Sequence, residues 1–271
     1  MTLVSTDWLN ENLNKVKIID ASWHLDKNRN AIEEYNKHHI ENAIFFDLDK
    51  NSNQKMDLPH GHFLPSVSHH EKAISEMGIT NTDRIIIYCY SNLISSCRAW
   101  FQFLYFGHDP KLVSILNGGM KKWKLEGRKV TNRKTKVIPT KYKATENTNM
   151  IKVKSQINEN IKRKEFTVLD ARSKKRFLGL ESEPRPGIKS GSIKESKSLP
   201  LSEIVNIKDN TFLNTKKLRN IFNSSGINSN KIVMTCGSSV SAASLALAYS
   251  LINDDYMPKI YIGSWTEFGK I

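Results

Sequence analysis

The chain has 271 residues, 39% hydrophobic and 25% charged, which suits soluble domains with ordinary cores and allows two of them. No run of about 18 apolar residues occurs, so neither a transmembrane helix nor a membrane partner is expected. Lys and Arg number 41 against 27 Asp and Glu, a net charge of +14, but no recognition motif accompanies it; nucleic acid is not an expected partner, and the field suits small anions.

The N-terminus, M-T-L-V-S-T-D-W-L, lacks a basic n-region and a long apolar h-region, and a cytoplasmic protein is expected. Ser5 is placed to cap a short helix. Val16 to Ala21 is a β-rich run ending in Asp20-Ala21, and Ala43 to Phe46 reads as a second strand. Lys50 to Pro65 is loop-like, and His69 to Met77 reads as a helix. Arg84 to Tyr88 is a buried-type strand leading to Cys89 and a helix through R-A-W-F-Q-F-L-Y. Leu112 to Leu116 is a further strand, closed by Asn117-Gly118-Gly119 and followed by a helix, M-K-K-W-K-L-E. From about Gly127 the chain turns polar, basic and weakly periodic. The expected division is a first domain over 1–130, a linker over 131–149 and a second domain over 150–271.

The second half repeats the order of the first. K-S-Q-I-N-E-N-I echoes T-D-W-L-N-E-N-L, and F-T-V-L-D-A-R echoes K-I-I-D-A-S. I-V-M-T-C echoes I-I-I-Y-C, and K-I-Y-I-G-S-W-T-E-F echoes L-V-S-I-L-N-G-G-M-K-K-W. Strands alternating with helical patterns imply a duplicated α/β protein, each copy a mainly parallel sheet with helices on both faces.

The chemistry gathers at Lys231–Leu251. A short apolar strand, Ile232 to Thr235, ends at Cys236, and a small polar loop leads into an Ala/Leu helix. Unpaired N–H groups and the positive end of the helix dipole favour a thiolate there. Residue type and setting leave a catalytic nucleophile and a packed core cysteine both open. Cys89, Cys97 and Cys236 are the three cysteines. With no C-x-x-C they argue against a disulfide framework, a zinc site or any other bound metal.

These residues resemble the rhodanese superfamily in its tandem two-domain form, over essentially the whole chain. The signature Y-x-x-x-H-I-x-x-A stands as Tyr35, His39, Ile40 and Ala43, and the C-terminal signature as Tyr261 to Phe268. The loop C-G-S-S-V-S-A is similar to the C-G-S-G-V-T-A loop of 3-mercaptopyruvate sulfurtransferases, and less so to the C-R-K-G-V-T loop of thiosulfate sulfurtransferases. The resemblance implies a first domain that is a degenerate copy and a second that carries the nucleophile. It implies that Cys236 takes sulfur from 3-mercaptopyruvate as a persulfide and hands it to thioredoxin, a small thiol or cyanide, with no cofactor. Thiosulfate:cyanide transfer is the alternative, and a low-activity sulfur-carrier or regulatory module is another. Gly237, Ser238, Ser239, Val240 and Ser241 would cradle the sulfur with their amides. Arg176 and Arg185, nine residues apart, would bind the keto acid, whose carboxylate and carbonyl suit forked guanidinium donors. Asp49, His62 and Ser238 would assist proton movement, with His60 a competitor for His62.

Some positions depart from the family pattern. Ser239 replaces a Gly, which is expected to limit positive φ there. Ser192 stands where a His is usual, and Ile262 replaces an acidic residue. Cys89 aligns with Cys236 but precedes a longer, more apolar loop and is read as non-catalytic. A cysteine-dependent phosphatase would need Arg at the end of C-x5-R, and Ala242 stands there.

Overall fold

The apolar runs form two parallel sheets of five strands each. The computed structural model describes residues 1–53, 61–91, 94–227 and 229–271. These fall into two units by their contacts: Met1–Ser52, Pro65–Asn147 and Asn206–Thr211 form the first, and Asn53–Leu64, Thr148–Val205 and Phe212–Ile271 the second.

In the first unit the elements run β1 (Leu3–Val4), α1 (Thr6–Asn12), β2 (Lys17–Asp20), α2 (Ala31–Lys37), β3 (Ala43–Phe45), α3 (Val67–Glu76), β4 (Ile85–Tyr88), α4 (Ile94–Tyr105), β5 (Val113–Leu116) and α5 (Gly119–Leu125). The second unit repeats the alternation as β6 (Ile151–Lys152), α6 (Lys154–Arg163), β7 (Thr167–Asp170), α7 (Lys174–Phe177), β8 (Lys197–Ser198), α8 (Thr215–Ser224), β9 (Ile232–Thr235), α9 (Ala242–Ser250), β10 (Ile260–Tyr261) and α10 (Ser264–Phe268). The sheet orders are β1-β5-β4-β2-β3 and β6-β10-β9-β7-β8, the same order in both copies. Parallel neighbours need a crossover, and the helices supply it.

The strands β4 and β9 are buried at every residue, which explains why they read as unbroken apolar runs rather than alternating ones. The helix after each is also buried along almost its whole length; a helix apolar all round belongs inside. The signature tryptophans lock the copies alike. Trp123 donates its indole N–H to the Lys129 carbonyl at 2.9 Å, and Trp265 to that of Lys189 at 2.8 Å. Ser5 caps α1 as expected, accepting from the Trp8 amide. The helix expected over His69 to Met77 starts earlier, at Val67, because Ser66 Oγ accepts from the His69 amide at 3.2 Å.

Segment 131–147 packs with the first unit as a strap without helix or strand. Thr131 and His39 exchange backbone hydrogen bonds at 2.8 Å, Thr140 N donates to Ser75 O, and Asn147 N to Tyr105 O. Tyr142 anchors it, buried and stacked on His108 with its hydroxyl 3.1 Å from His108 Nδ1. Backbone pairing with scattered anchors has no fixed period, hence the linker-like sequence.

Candidate active site

β9 carries the chain to Cys236, which is 1% exposed at the strand's C-terminal end. The loop that follows is braced by the start of α10. Trp265 N donates to Cys236 O at 2.9 Å, and both Thr266 N and Thr266 Oγ1 donate to Gly237 O, at 2.8 and 2.7 Å. Ser264 Oγ accepts from Cys236 N at 3.3 Å and from Ser239 N at 3.0 Å, and donates to Tyr261 O at 2.9 Å. With its carbonyls held this way, the loop keeps other amides open. Among the described residues, the N–H groups of Gly237, Ser238, Val240 and Ser241 donate to no protein acceptor. They supply the donors that a charged sulfur needs. Val240 is buried, and Ser241, at the start of α9, is half-buried with its carbonyl accepting from Ser244 N.

Ser239 takes the positive φ that its side chain was expected to limit: it sits at +61°. The cost of placing a Cβ in the left-handed region is offset locally. Its amide is held by Ser264, and its own Oγ donates to the His62 carbonyl at 3.1 Å.

The two arginines converge. A Cβ built on Gly237 would lie 3.2 Å from Arg176 Nη2 and 3.2 Å from Arg185 Nη1. Both guanidinium tips therefore stand against the residue that follows the cysteine. Arg176 lies on α7, whose N-cap Ser173 accepts from the Arg176 amide. Its Nε and Nη2 donate to the two oxygens of Glu183, at 3.2 and 2.5 Å. Glu183 Oε1 also accepts from Arg172 Nη1 at 2.7 Å, and Arg172 grips Asp170, with Nη2 2.7 Å from Oδ2. Asp170, Arg172 and Glu183 have side chains only 1–2% exposed. Burial works against the Arg172 charge, but the carboxylates of Asp170 and Glu183 more than offset this and hold it above its ordinary range. Counting Arg185, three guanidinium groups meet two carboxylates, so the formal excess beside the loop is one positive charge.

Arg185 is 8% exposed, and its Nη2 donates to Ser238 Oγ at 2.9 Å. His62 Nδ1 lies 3.0 Å from the same oxygen. Arginine can only donate, so Ser238 Oγ accepts from Arg185, and it keeps both its proton and a further lone pair for His62. The structure thus groups Cys236, Gly237, Ser238, Ser239, Arg176, Arg185 and His62 within the second unit. Asp49 belongs to the first, where its carboxylate oxygens accept from Trp23 Nε1 at 3.1 and 3.2 Å. His60 lies outside the described residues. Ile262 is buried with Phe63, an apolar use of a position where an acid is usual, and Ser192 is half-buried.

Sequence reasoning missed Glu183, Arg172 and Ser264 as parts of the site. Arg172 and Ser264 lie in the quoted stretches D-A-R and G-S-W, and Glu183 stands two residues before Arg185, but their bracing contacts follow no sequence period: Glu183 reaches back 11 and 7 residues, and Ser264 28 and 25. Among the described residues, no helix is long and apolar enough to cross a membrane, and no group of three or more His, Cys, Asp or Glu could hold a metal.

The chain also resembles known proteins in sequence and fold. The family model of the rhodanese-like domain matches residues 5–126. The thiosulfate/3-mercaptopyruvate sulfurtransferase 1 of Arabidopsis thaliana, a mitochondrial protein by its name, is 34% identical, covering 98% of this chain and 75% of the relative. The 3-mercaptopyruvate sulfurtransferase of Homo sapiens is 33% identical, over 98% of this chain and 91% of the relative. The crystal structure of SseA from Escherichia coli, a 3-mercaptopyruvate sulfotransferase, superposes with a TM-score of 0.86 at 28% identity, over 98% of this chain and 99% of that one.

Proposed function

Because the chain belongs to the tandem rhodanese family of sulfurtransferases, we propose that it moves the sulfur of 3-mercaptopyruvate through a persulfide on Cys236 to a thiol or cyanide acceptor. The observation that carries this is the convergence of Arg176 and Arg185 on Gly237, next to the nucleophile. A carboxylate and an adjacent carbonyl oxygen present two acceptors, and two guanidinium forks at one spot match them.

In the first half-reaction the Cys236 thiolate attacks the donor sulfur. A sulfur–sulfur bond forms, the carbon–sulfur bond breaks, and its electron pair stays on carbon as the enolate of pyruvate. The proton leaving the donor thiol ends on that carbon. Ser238 and His62, hydrogen-bonded in series, are the groups suited to carry it. The persulfide anion is held by the open loop amides. In the second half-reaction an acceptor thiolate or cyanide takes the outer sulfur, and the Cys236 thiolate returns.

Intact-mass measurement tests this directly. Incubation with 3-mercaptopyruvate should add one sulfur atom to the wild-type chain and none to Cys236→Ser. Thiosulfate should load more slowly, since the loop beside the cysteine offers Gly237 and Ser238 rather than further cations to a dianion. Faster loading by thiosulfate would overturn the donor assignment, and loading by neither would leave a non-enzymatic rhodanese module.

A further inference from the structure

The duplicated frame allows the active loop to be compared with its own copy. In both units a buried strand runs into a cysteine, and the second residue of a later helix returns to that cysteine. Met120 N donates to Cys89 O at 3.1 Å, as Trp265 N donates to Cys236 O at 2.9 Å. The residue before each donor is left-handed, Gly119 at φ +54° and Ser264 at φ +49°. In the first unit glycine suits that place twice over, since a Cβ there would come within 2.7 Å of Cys89 O. The second unit has a serine instead, fully buried, in a conformation that disfavours a side chain.

That serine has three hydrogen bonds. Its Oγ takes the Cys236 and Ser239 amides together and gives its proton to Tyr261 O. Residues 236 and 239 bracket the turn, so one oxygen ties its two ends. The amides between and after them, Gly237, Ser238, Val240 and Ser241, stay available to the sulfur. We propose that Ser264 is a positioning residue: its hydroxyl closes the Cys236 loop so that the open amides point at the thiolate and the persulfide. This rests on Cys236 being the nucleophile. The glycine at position 119 leaves the Cys89 loop without the equivalent tie.

Ser264→Gly removes the hydroxyl, mimics the first unit and relieves the left-handed strain, so the variant should fold. Ser264→Ala removes the hydroxyl and keeps the strain. Alkylation by iodoacetamide, followed on the Cys236 peptide by mass at several pH values, reports the reactivity of that sulfur. Both variants should slow it about tenfold at neutral pH as amide alignment is lost. Both should lower kcat about tenfold or more, with the keto-acid KM changed far less, since Arg176 and Arg185 are untouched. Ser264→Gly should do so with an unfolding midpoint close to wild type. An alkylation profile that superimposes on wild type in Ser264→Gly overturns the proposal, as does a kcat loss that only tracks the unfolded fraction. Wild-type chain that never loads sulfur would instead remove the Cys236 assignment, which separates the two failures.

Discussion

Asp20 is a buried acid whose counterpart kept a partner that it lacks. It ends β2 with no exposed surface, and its Oδ1 accepts from Ser22 N at 2.9 Å and from Ser22 Oγ at 2.5 Å. Its Oδ2 has no hydrogen-bond partner among the described residues. In the second unit Asp170 sits at the same register and is gripped by Arg172. Burial raises the Asp20 pKa from 3.8 to about 6, against the lowering effect of the Ser22 hydroxyl and amide. The folded chain therefore holds a proton that the unfolded chain has released between about pH 4 and pH 6. This contribution to stability is fully present below the unfolded pKa and is lost as pH rises through the folded one. A shift of about two pH units corresponds to about 3 kcal/mol above pH 7, and about half of that has already been lost by pH 5. Asp20→Asn keeps the acceptor for Ser22 and removes the charge, while its amide N–H replaces Oδ2 at a pH-independent cost of about 1–2 kcal/mol. The variant should thus gain on wild type by about 1.5 kcal/mol between pH 5 and pH 8. Urea unfolding at both pH values reads this as a double difference, in which other titrating groups cancel. A difference between variant and wild type that does not change with pH would refute the reasoning.

Two substitutions probe the arginine pair. Gly237→Ala places a Cβ 3.2 Å from both guanidinium tips, which must retreat by a few tenths of an ångström. The keto-acid KM should rise about tenfold, about 1.4 kcal/mol, while the Cys236 alkylation rate stays put; an unchanged KM would mean that the tips do not bind donor. Glu183→Gln frees Arg176 and leaves the buried Arg172 with Asp170 as its remaining carboxylate, so stability should fall by about 3 kcal/mol in urea. The charge beside the loop rises by one, and thiosulfate use should improve relative to 3-mercaptopyruvate in steady-state assays; a fixed donor ratio would count against charge as the discriminator.

Much of the frame was legible because the signals were local. Strands buried on both faces write themselves as Ile85-Ile86-Ile87 and Ile232-Val233-Met234, and the duplication shows in the order of the echoes. The place of Cys236 between β9 and α9 was legible because a strand pattern and a helix pattern flank it. The bracing groups were not, for a physical reason. Glu183 joins Arg172 and Arg176 from a loop with no period, and Ser264 bonds residues 28 and 25 positions earlier. Ser239 was expected to resist a positive φ on intrinsic preference, but two tertiary hydrogen bonds outweigh a conformational cost of about 1–2 kcal/mol.

The contrast between the copies locates what distinguishes a sulfur-transfer site from its scaffold. After Asp20-Ala21 comes Ser22, a side chain long enough to reach only the near oxygen of Asp20. After Asp170-Ala171 comes Arg172, which reaches from Asp170 to Glu183 and also lies over the Trp265 ring, 4.7 Å from its centroid. Glu183 in turn holds two nitrogens of Arg176, leaving its tip beside Gly237. A free arginine would lose about 2 kcal/mol of rotamer freedom each time it met a donor. Here that loss is incurred at folding, through a chain of buried ion pairs that ends at the loop, so binding meets a preset fork. A strand, a cysteine and a helix are therefore insufficient: the second copy adds an arginine just past the end of β7 and a hydroxyl behind the loop, and both act on the position of groups around one sulfur.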